Sequence, residues 1–327
     1  MKNRRLFAIV FIITILFFYL SKIYFGKRSS HNEYVEDVLQ SSEVESNGGF
    51  ITNEIQIGAQ ESNVLDKFDI EMIYPTDVGG KTWYSNWNNK MTLRSGERSS
   101  DDQSFIGRGN GKIEIDGNEI AHLIGVSPRM YVYDPKKIEK WNNVEVTVYS
   151  KRISETGTKS SQGIVIGARS EHQDATLDNP CLGRTYYGRL LYDGRAVFQK
   201  EVIHEGAYSI NKPTENNKAD WSSYNNTFPR DTWIGVKFVV RTSSDRTSVK
   251  LELYRDLTDG KNGGDWIKVA EYTDYGDWTQ TDSGADVQSK CGYSAGKILI
   301  DAGTSVFIRN DLVKDVQYKK FSIREIR

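Results

Sequence analysis

From Lys67 to the C-terminus, the sequence is a succession of short runs rich in β-branched and aromatic residues, separated by Gly, Asn, Asp and Pro. No window of useful length in this region keeps the 3.6-residue apolar period of an amphipathic helix. Many short strands separated by turn residues are typical of sandwiches and barrels. The pattern therefore predicts an all-β, two-sheet jelly-roll sandwich, and because no linker-like break interrupts it, residues 67–327 are predicted to form one domain.

The N-terminus carries a different signal. Three basic residues precede Leu6–Leu20, which contains no charged residue, and the apolar run resumes as Ile23–Phe25. Together these residues reach about membrane-spanning length, and Ser21–Tyr24 is a poor cleavage site for a signal peptidase. We therefore predict a basic N-terminus and transmembrane signal anchor in residues 1–28, with residues 6–25 in the membrane and the C-terminal domain extracytoplasmic. A cleaved signal peptide is the alternative.

Residues 29–66 are predicted to be a flexible stalk. Between Ser30 and Asp66 there are eight acidic residues and no Lys or Arg, a composition that favours a solvated segment over a packed core. Over the whole chain, 43 basic and 44 acidic residues nearly cancel. This balance argues against nucleic acid as a general partner.

The cysteine and histidine content limits the metal and redox chemistry. Cys181 and Cys291 are the only cysteines, and in an exported chain they predict one disulfide, with two unrelated thiols as the alternative. They are too few for a cysteine-rich zinc site. The four histidines show no HExxH motif or spaced pair, so the sequence does not indicate a catalytic metal.

Several segments share their rhythm of strands and turns with a known superfamily: Gly79–Trp87, Tyr186–Tyr208, Val249–Tyr272 and Val316–Ile326. They resemble the concanavalin A-like lectin/glucanase superfamily, and in particular jelly-roll domains of polysaccharide lyase family 7, the alginate lyases. The resemblance implies a protein that binds or cleaves glycans along a groove on its concave sheet. The lyase signature is matched in part, by Arg169–His172 and Val202–His204, and its C-terminal strand motif is missing.

The segment around Asp193–Gly194 predicts a β-hairpin with a two-residue turn. That turn would place Tyr187 opposite Lys200 and bring both onto one face with Arg189 and His204. A uronate lyase needs a cation to neutralise the substrate carboxylate, a base for the adjacent proton and an acid for the leaving oxygen. These four residues have the required chemical types and are the predicted catalytic set. The alternative is a scaffold sheet whose long cations extend past aromatic side chains to reach solvent.

Aromatic residues in or near loops are candidate sugar-stacking platforms, because a flat ring can cover the face of a pyranose. The predicted glycan-binding residues are Tyr208, Trp221, Tyr224 and Trp278. The alternative for each is a side chain that covers the edge of a sheet.

Two acidic motifs suggest further sites. Glu114–Glu119 has the ExDxxE spacing of family 16 glycoside hydrolases, whose paired carboxylates act as nucleophile and acid, although Gly117-Asn118 favours a turn that ends the strand. Asp256, Asp259 and Asp265 could hold calcium as a cofactor; a hairpin loop stabilised by Asx turns is the alternative.

The combined interpretation is a membrane-anchored, cell-surface jelly-roll protein whose partner is a polysaccharide or cell-envelope glycan. If the protein is an enzyme, the predicted reaction is lyase-type β-elimination of an acidic polysaccharide. A non-catalytic structural or adhesion module is the alternative, and a family 16-like glycoside hydrolase is a lesser one. Because this fold hosts lectins, lyases and hydrolases alike, the fold alone does not select among them.

Overall fold

The computed structural model describes residues 64–157, 162–176, 178–204, 207–209, 212, 219 and 221–327. The predicted anchor, residues 6–25, and the predicted stalk up to residue 63 lie outside this part of the chain. Within it, no helix has the length and apolar character needed to span a bilayer.

The described residues form fourteen strands, one short α-helix and four 3₁₀ turns. The strands are β1 (Thr82–Tyr84), β2 (Met91–Arg94), β3 (Phe105–Ile115), β4 (Ala121–Val132), β5 (Val144–Glu155), β6 (Gly163–Ser170), β7 (Thr185–Leu191), β8 (Ala196–Ile203), β9 (Ala207–Tyr208), β10 (Trp233–Thr242), β11 (Val249–Asp256), β12 (Ile267–Asp274), β13 (Ser305–Arg309) and β14 (Val313–Glu325). The helix is α1 (Val287–Cys291), and the 3₁₀ turns are His172–Asp174, Pro180–Gly183, Ser222–Tyr224 and Lys261–Gly263.

The strands pair antiparallel in the order β12-β11-β10-β5-β14-β4-β13-β6-β7-β8-β9, with β1 beside β14 and β3 joining β2 to β4. Strand β14 pairs with both β4 and β5 and contains several register shifts, which bend a strand and increase its twist. The strands thereby form two layers that face each other. Phe198 of β8 stacks on Phe238 of β10, with ring centroids 6.1 Å apart. The predicted two-layer, all-β sandwich is confirmed.

Side chains that alternate along each strand divide the β3-β4-β13-β6-β7-β8 layer into two faces. Residues such as Met130, Tyr186 and Ile308 point into the main hydrophobic core between the layers. The opposite side, called the outer face below, carries a separate cluster of aromatic and aliphatic residues. Its members are Ile106, Tyr131, Tyr133, Val165, Tyr187 and Phe307, with Tyr208 packed against them.

The predicted disulfide is confirmed. Cys181 and Cys291 are bonded, with their Cα atoms 5.6 Å apart and a sequence separation of 110. The bond joins the turn Pro180–Gly183 to α1, and the Tyr293 hydroxyl beside it donates to the carbonyl of Val202 at 2.8 Å. The bridge thus fixes two loops against the end of β8.

We expect Cys181→Ser with Cys291→Ser to lower the free energy of unfolding by about 4–5 kcal/mol, because a disulfide closing a loop of this length restricts the unfolded chain. Urea denaturation of the purified protein, with and without the two substitutions, measures the difference. A loss below about 1 kcal/mol would show that the bond adds little to the fold.

Candidate functional site

The hairpin between β7 and β8 turns through three residues, not two. The Leu191 amide donates to the Arg195 carbonyl at 2.8 Å, and the Gly194 amide donates to the Leu191 carbonyl at 2.9 Å. Gly194 has a φ of +92°, as expected for the last position of a three-residue hairpin loop. The predicted two-residue turn is therefore wrong, and the register of the hairpin moves by one residue.

The new register moves Lys200 to the opposite face. Tyr187 pairs with Gln199, and Tyr186 pairs with Lys200, because a slip of one residue inverts which face each side chain of a strand occupies. The Lys200 ammonium is fully buried in the core, 2.9 Å from Asp274 Oδ2. The predicted catalytic set is therefore corrected: Lys200 does not share a face with Tyr187 and Arg189.

Four arginines form a row across the outer face. Arg108, Arg129 and Arg309 lie opposite one another on β3, β4 and β13, and the row continues through Val165 on β6 to Arg189 on β7. We call these four the arginine row. Each of these arginines lies on a paired strand, so the backbone hydrogen bonds fix the position of its Cα atom.

Members of the arginine row differ in how their charges are held. Arg309 donates two hydrogen bonds of 2.9 Å to the Asp311 carboxylate, whereas Arg189 donates to the Gln199 amide oxygen at 2.9 Å. The Nε of Arg129 has no hydrogen-bond partner among the described residues, and its side chain is only partly buried. The Nε atom itself is buried, so the terminal nitrogens of the Arg129 guanidinium are the ones that can reach solvent.

A row of aromatic residues, called the aromatic row below, runs parallel to the arginine row. On β4, β7 and β13 its members lie two residues from the arginine of the same strand. It consists of Tyr131, Phe307 and Tyr187, with Gly167 between the last two. The Tyr131 and Phe307 rings stack with centroids 4.4 Å apart, and Tyr187 meets Phe307 edge-on at 5.8 Å. A Cβ at position 167 would lie 2.3 Å from the Phe307 ring, so the glycine leaves room for that ring.

A cluster of His172, Glu201 and His204 lies at one end of the aromatic row. His172 Nε2 is 3.6 Å from Glu201 Oε2, and His204 Nδ1 is 3.2 Å from Glu201 Oε1. Tyr187 donates its hydroxyl hydrogen to Glu201 Oε2, and the Tyr131 hydroxyl lies 3.1 Å from His172 Nδ1. We call these three residues the histidine–glutamate cluster.

Local structure sets the positions of the cluster. Glu201 lies on the outer face of β8, and His172 begins the turn His172–Asp174. The His204 amide donates to the Pro180 carbonyl at 2.8 Å, within the turn that the disulfide holds.

Burial dominates the electrostatics of the cluster. It lowers the pKa of His172 to about 3, with the positive charges of Arg129, His204 and Arg309 acting in the same direction. Burial also raises the pKa of Glu201, against the hydrogen bonds from His204 and Tyr187. Desolvation and the nearby Glu201 carboxylate raise the pKa of Tyr187. Near pH 7 the cluster thus combines a neutral His172 imidazole with a neutral Tyr187 phenol.

Of the predicted catalytic residues, the structure brings Tyr187, Arg189 and His204 to the outer face. Sequence reasoning missed Arg108, Arg129, Arg309, His172 and Glu201. A signal for the arginines was present: an aromatic or aliphatic residue two positions from an arginine recurs in IGR, RMY, YGR and FIR, on four strands. The Glu201-x-x-His204 spacing was also visible in the sequence.

The predicted stacking platforms divide into two groups. Trp221 and Trp278 are 0% and 1% exposed, so the prediction that they offer open surfaces to sugar is wrong: Trp221 donates to the Gly194 carbonyl at 3.0 Å, and Trp278 packs against Tyr272. Tyr224 is half-buried against the main core. Tyr208 lies on the outer face, its ring 6.2 Å from that of Tyr187.

The loop predicted to hold calcium is organised by hydrogen bonds. The buried Asp256 carboxylate accepts from the amides of Thr258, Gly260 and Asp265 at 2.8–2.9 Å. Asp259 pairs with Lys319 at 2.8 Å. Among the described residues, these carboxylates are not part of a metal-ligand group. The loop therefore has the Asx-turn geometry of the alternative, not the predicted calcium geometry.

The ExDxxE motif does not lie along one strand. Strand β3 ends at Ile115, and Asp116 Oδ1 accepts from the amides of Asn118 and Ile120 at 2.7 and 3.2 Å. Glu114 and Glu119 therefore lie on either side of a turn, and the paired-carboxylate arrangement of the glycosidase alternative is not present.

No family model and no curated protein matches the chain. Solved structures that match include arcelin-5, a lectin-like defence protein from Phaseolus vulgaris, with 15% identity, coverage of 73% of this chain and 99% of that chain, and a TM-score of 0.33. The Ca²⁺/Man-bound VIP36 exoplasmic/lumenal domain matches with 11% identity, 75% and 92% coverage, and a TM-score of 0.38.

The receptor binding domain of botulinum neurotoxin mosaic serotype C/D also matches, with 12% identity, 74% and 49% coverage, and a TM-score of 0.35. The chain thus spans about half the length of that neurotoxin domain. At TM-scores below 0.5, these likenesses establish neither a family nor a shared site for this chain.

We expect Gly167→Ala to destabilise the protein by about 1–3 kcal/mol, because the new methyl group would overpack the Phe307 ring. Gly157→Ala is the matched control, since a Cβ there would come no closer than 3.9 Å to another atom. Urea denaturation compares the two variants. Equal stability of both would contradict the close contact between position 167 and Phe307.

We expect Lys200→Met to lower the free energy of unfolding by about 3–5 kcal/mol, because it leaves the buried Asp274 carboxylate without its cation. Lys261→Met, at an exposed position, should change stability little. Thermal and urea unfolding measure both variants. A Lys200→Met protein as stable as the wild type would contradict the buried ion pair.

Proposed function

We propose that the outer face binds an acidic polysaccharide. The observation that carries this proposal is the arginine row, of which Arg108, Arg129 and Arg309 are partly exposed. Guanidinium groups recognise carboxylates and sulfates through paired, charge-assisted hydrogen bonds. The aromatic row is buried, so the partly exposed ring of Tyr208 beside it is the one that would cover the face of a sugar. A polymer of acidic sugars presents both features at once.

The dimensions of the row favour an extended ligand. Neighbouring strands lie about 4.8 Å apart, so the five strands from Arg108 to Arg189 span about 19 Å. A linear polymer lying across the strands would meet several arginines in succession. A cavity of about 220 Å³ provides a recess along that path; it is lined by Tyr187, Arg189, Tyr208 and Arg309 together with the carboxylates of Asp282 and Asp311.

β-Elimination of a uronate polymer is the second candidate function, favoured by the position of the histidine–glutamate cluster and Tyr208 beside the arginines. An arginine would neutralise the uronate carboxylate, which acidifies the proton at C5. A base removes that proton, the C4–O bond breaks as the C4=C5 double bond forms, and an acid protonates the departing oxygen. His204 and Tyr208 are the candidate proton-transfer groups. Tyr187 is 2% exposed and supports Glu201 instead.

The sequence supports a location for this activity. The apolar segment 6–25 would anchor the chain, and the Cys181–Cys291 disulfide fits an oxidising, extracytoplasmic compartment. The domain would then meet polysaccharide at the cell surface. A non-catalytic adhesion module would use the same face without proton transfer.

We expect Arg129→Gln to weaken binding of polyguluronate, polymannuronate or polygalacturonate roughly 10- to 100-fold, because it removes a charge-assisted contact. Lys261→Gln, which removes one positive charge from the β11–β12 loop, is the matched control. Calorimetric titration at two NaCl concentrations measures the affinities, which should fall as salt rises. Binding of a neutral glucan with equal affinity, or equal binding by both variants, would contradict the proposal.

The same polymers distinguish the two candidate functions. Elimination produces unsaturated uronate ends that absorb in the ultraviolet, so growth of this absorbance would show a lyase. Binding without a rise in absorbance would show a glycan-binding module. The absence of both would favour the structural alternative.

A further inference from the structure

We propose that the histidine–glutamate cluster is a binding site for a divalent transition-metal ion, with Zn²⁺ the best fit. His172, Glu201 and His204 each offer one ligand atom, and these atoms all lie within 4.8 Å of one another. This site is separate from the arginine row and does not depend on glycan binding.

The distances within the cluster suit tetrahedral coordination. Zinc–nitrogen and zinc–oxygen bonds of about 2.0–2.2 Å place two ligands of a tetrahedral ion about 3.3–3.6 Å apart. The measured separations are 3.6 Å from His172 Nε2 to Glu201 Oε2 and 3.2 Å from His204 Nδ1 to Glu201 Oε1. Glu201 can therefore share an ion with either histidine after only small rotations of the side chains.

The environment of His172 gives an independent reason for a ligand. This residue is 6% exposed, and its Nε2 has no hydrogen-bond partner among the described residues. A buried nitrogen without a partner costs free energy that a bound ligand recovers. Its separation of 3.6 Å from Glu201 Oε2 exceeds hydrogen-bond distance, yet it leaves room for an ion to bridge the two atoms.

Surrounding groups hold the ligands in place, as metal sites require. The Tyr131 hydroxyl lies 3.1 Å from His172 Nδ1, where it can accept a hydrogen bond from Nδ1–H. In that tautomer Nε2 carries no proton and is free to bind metal. The Tyr187 hydroxyl donates to Glu201. The His204 backbone is tied to Pro180, next to the disulfide. Each of the three proposed ligand residues thus has a hydrogen-bonding partner that restricts its position.

The donor set identifies the class of ion. Two imidazole nitrogens and one carboxylate oxygen suit Zn²⁺ and its neighbours Co²⁺ and Ni²⁺, whereas Ca²⁺ and Mg²⁺ require mainly oxygen ligands. Three protein ligands leave one coordination position for water or a substrate oxygen. The His204 side chain is 17% exposed, so the ion would reach the site from the outer face. If an ion binds His204 Nδ1, that nitrogen can no longer transfer a proton. Tyr208 is then the candidate proton-transfer group for the β-elimination described above.

The test is titration of the purified full-length chain, stripped with a chelator and dialysed, with ZnCl₂ in a calorimeter. Wild-type protein should bind one equivalent, and CoCl₂ should give the visible absorption of a four- or five-coordinate Co²⁺ site. His204→Asn should weaken Zn²⁺ binding by more than about 100-fold, because loss of a ligand exceeds the 10- to 100-fold cost of losing an outer partner. His122→Asn is the matched control, since His122 pairs with Asp315 on β14.

Three outcomes would overturn the proposal: no stoichiometric binding by the wild-type chain, equal affinity in His204→Asn, or equal loss in His122→Asn. His172→Gln serves as a second ligand variant, and far-ultraviolet circular dichroism of each metal-free variant checks that it is folded. Polyuronate affinity is measured on the same samples. Loss of zinc with retained polymer binding separates this site from the proposed function.

Discussion

The register of the β7–β8 hairpin is the constraint on which the candidate site depends. Gly194 closes a three-residue loop, and its carbonyl accepts hydrogen bonds from the Trp221 indole and the Ala219 amide. A Cβ at this position would lie 2.4 Å from the Asn226 carbonyl. With the loop fixed, Glu201 faces outward to the histidines and Lys200 faces inward to Asp274. A shift of one residue would exchange the two and place an unpaired carboxylate in the core.

The rest of the outer face follows from antiparallel pairing. The arginines of β3, β4, β7 and β13 fall into one row, and the aromatic residues two positions from them on β4, β7 and β13 fall into a second, because directly opposed residues share a face. The Phe307 ring packs over Gly167, which has no side chain to displace it. Side-chain contacts also orient the arginines: Arg309 donates two hydrogen bonds to Asp311. A guanidinium held in this way would lose less conformational entropy on binding an anion.

Sequence patterns predicted those features that depend on local signals. The short strands, the turn at Gly117 and the single disulfide were of this kind, because each rests on neighbouring residues or on there being only two cysteines. Tyr187 and Arg189 share a face as predicted, because alternation within one strand does not depend on the register of the hairpin. The register of the hairpin was predicted wrongly, because Asp193-Gly194 suits a two-residue loop as well as a three-residue one.

The remaining site residues come from distant strands. Arg129 and Arg309 meet only because β4 pairs with β13, and the order of strands in a sheet is not encoded in any short segment. His172 joins Glu201 through a turn on another part of the chain. Trp221 and Trp278 occupy loops that fold back into the core, so their position in irregular sequence did not indicate exposure.

The central claim is that the arginine row forms a binding surface for an acidic polymer, and a crystal structure of the protein with a bound oligouronate tests it most directly. We expect sugar carboxylates at hydrogen-bond distance from Arg129 and its neighbours in the arginine row, with a sugar ring over Tyr208. An oligosaccharide bound at another surface, with the arginine row open to solvent, would contradict it.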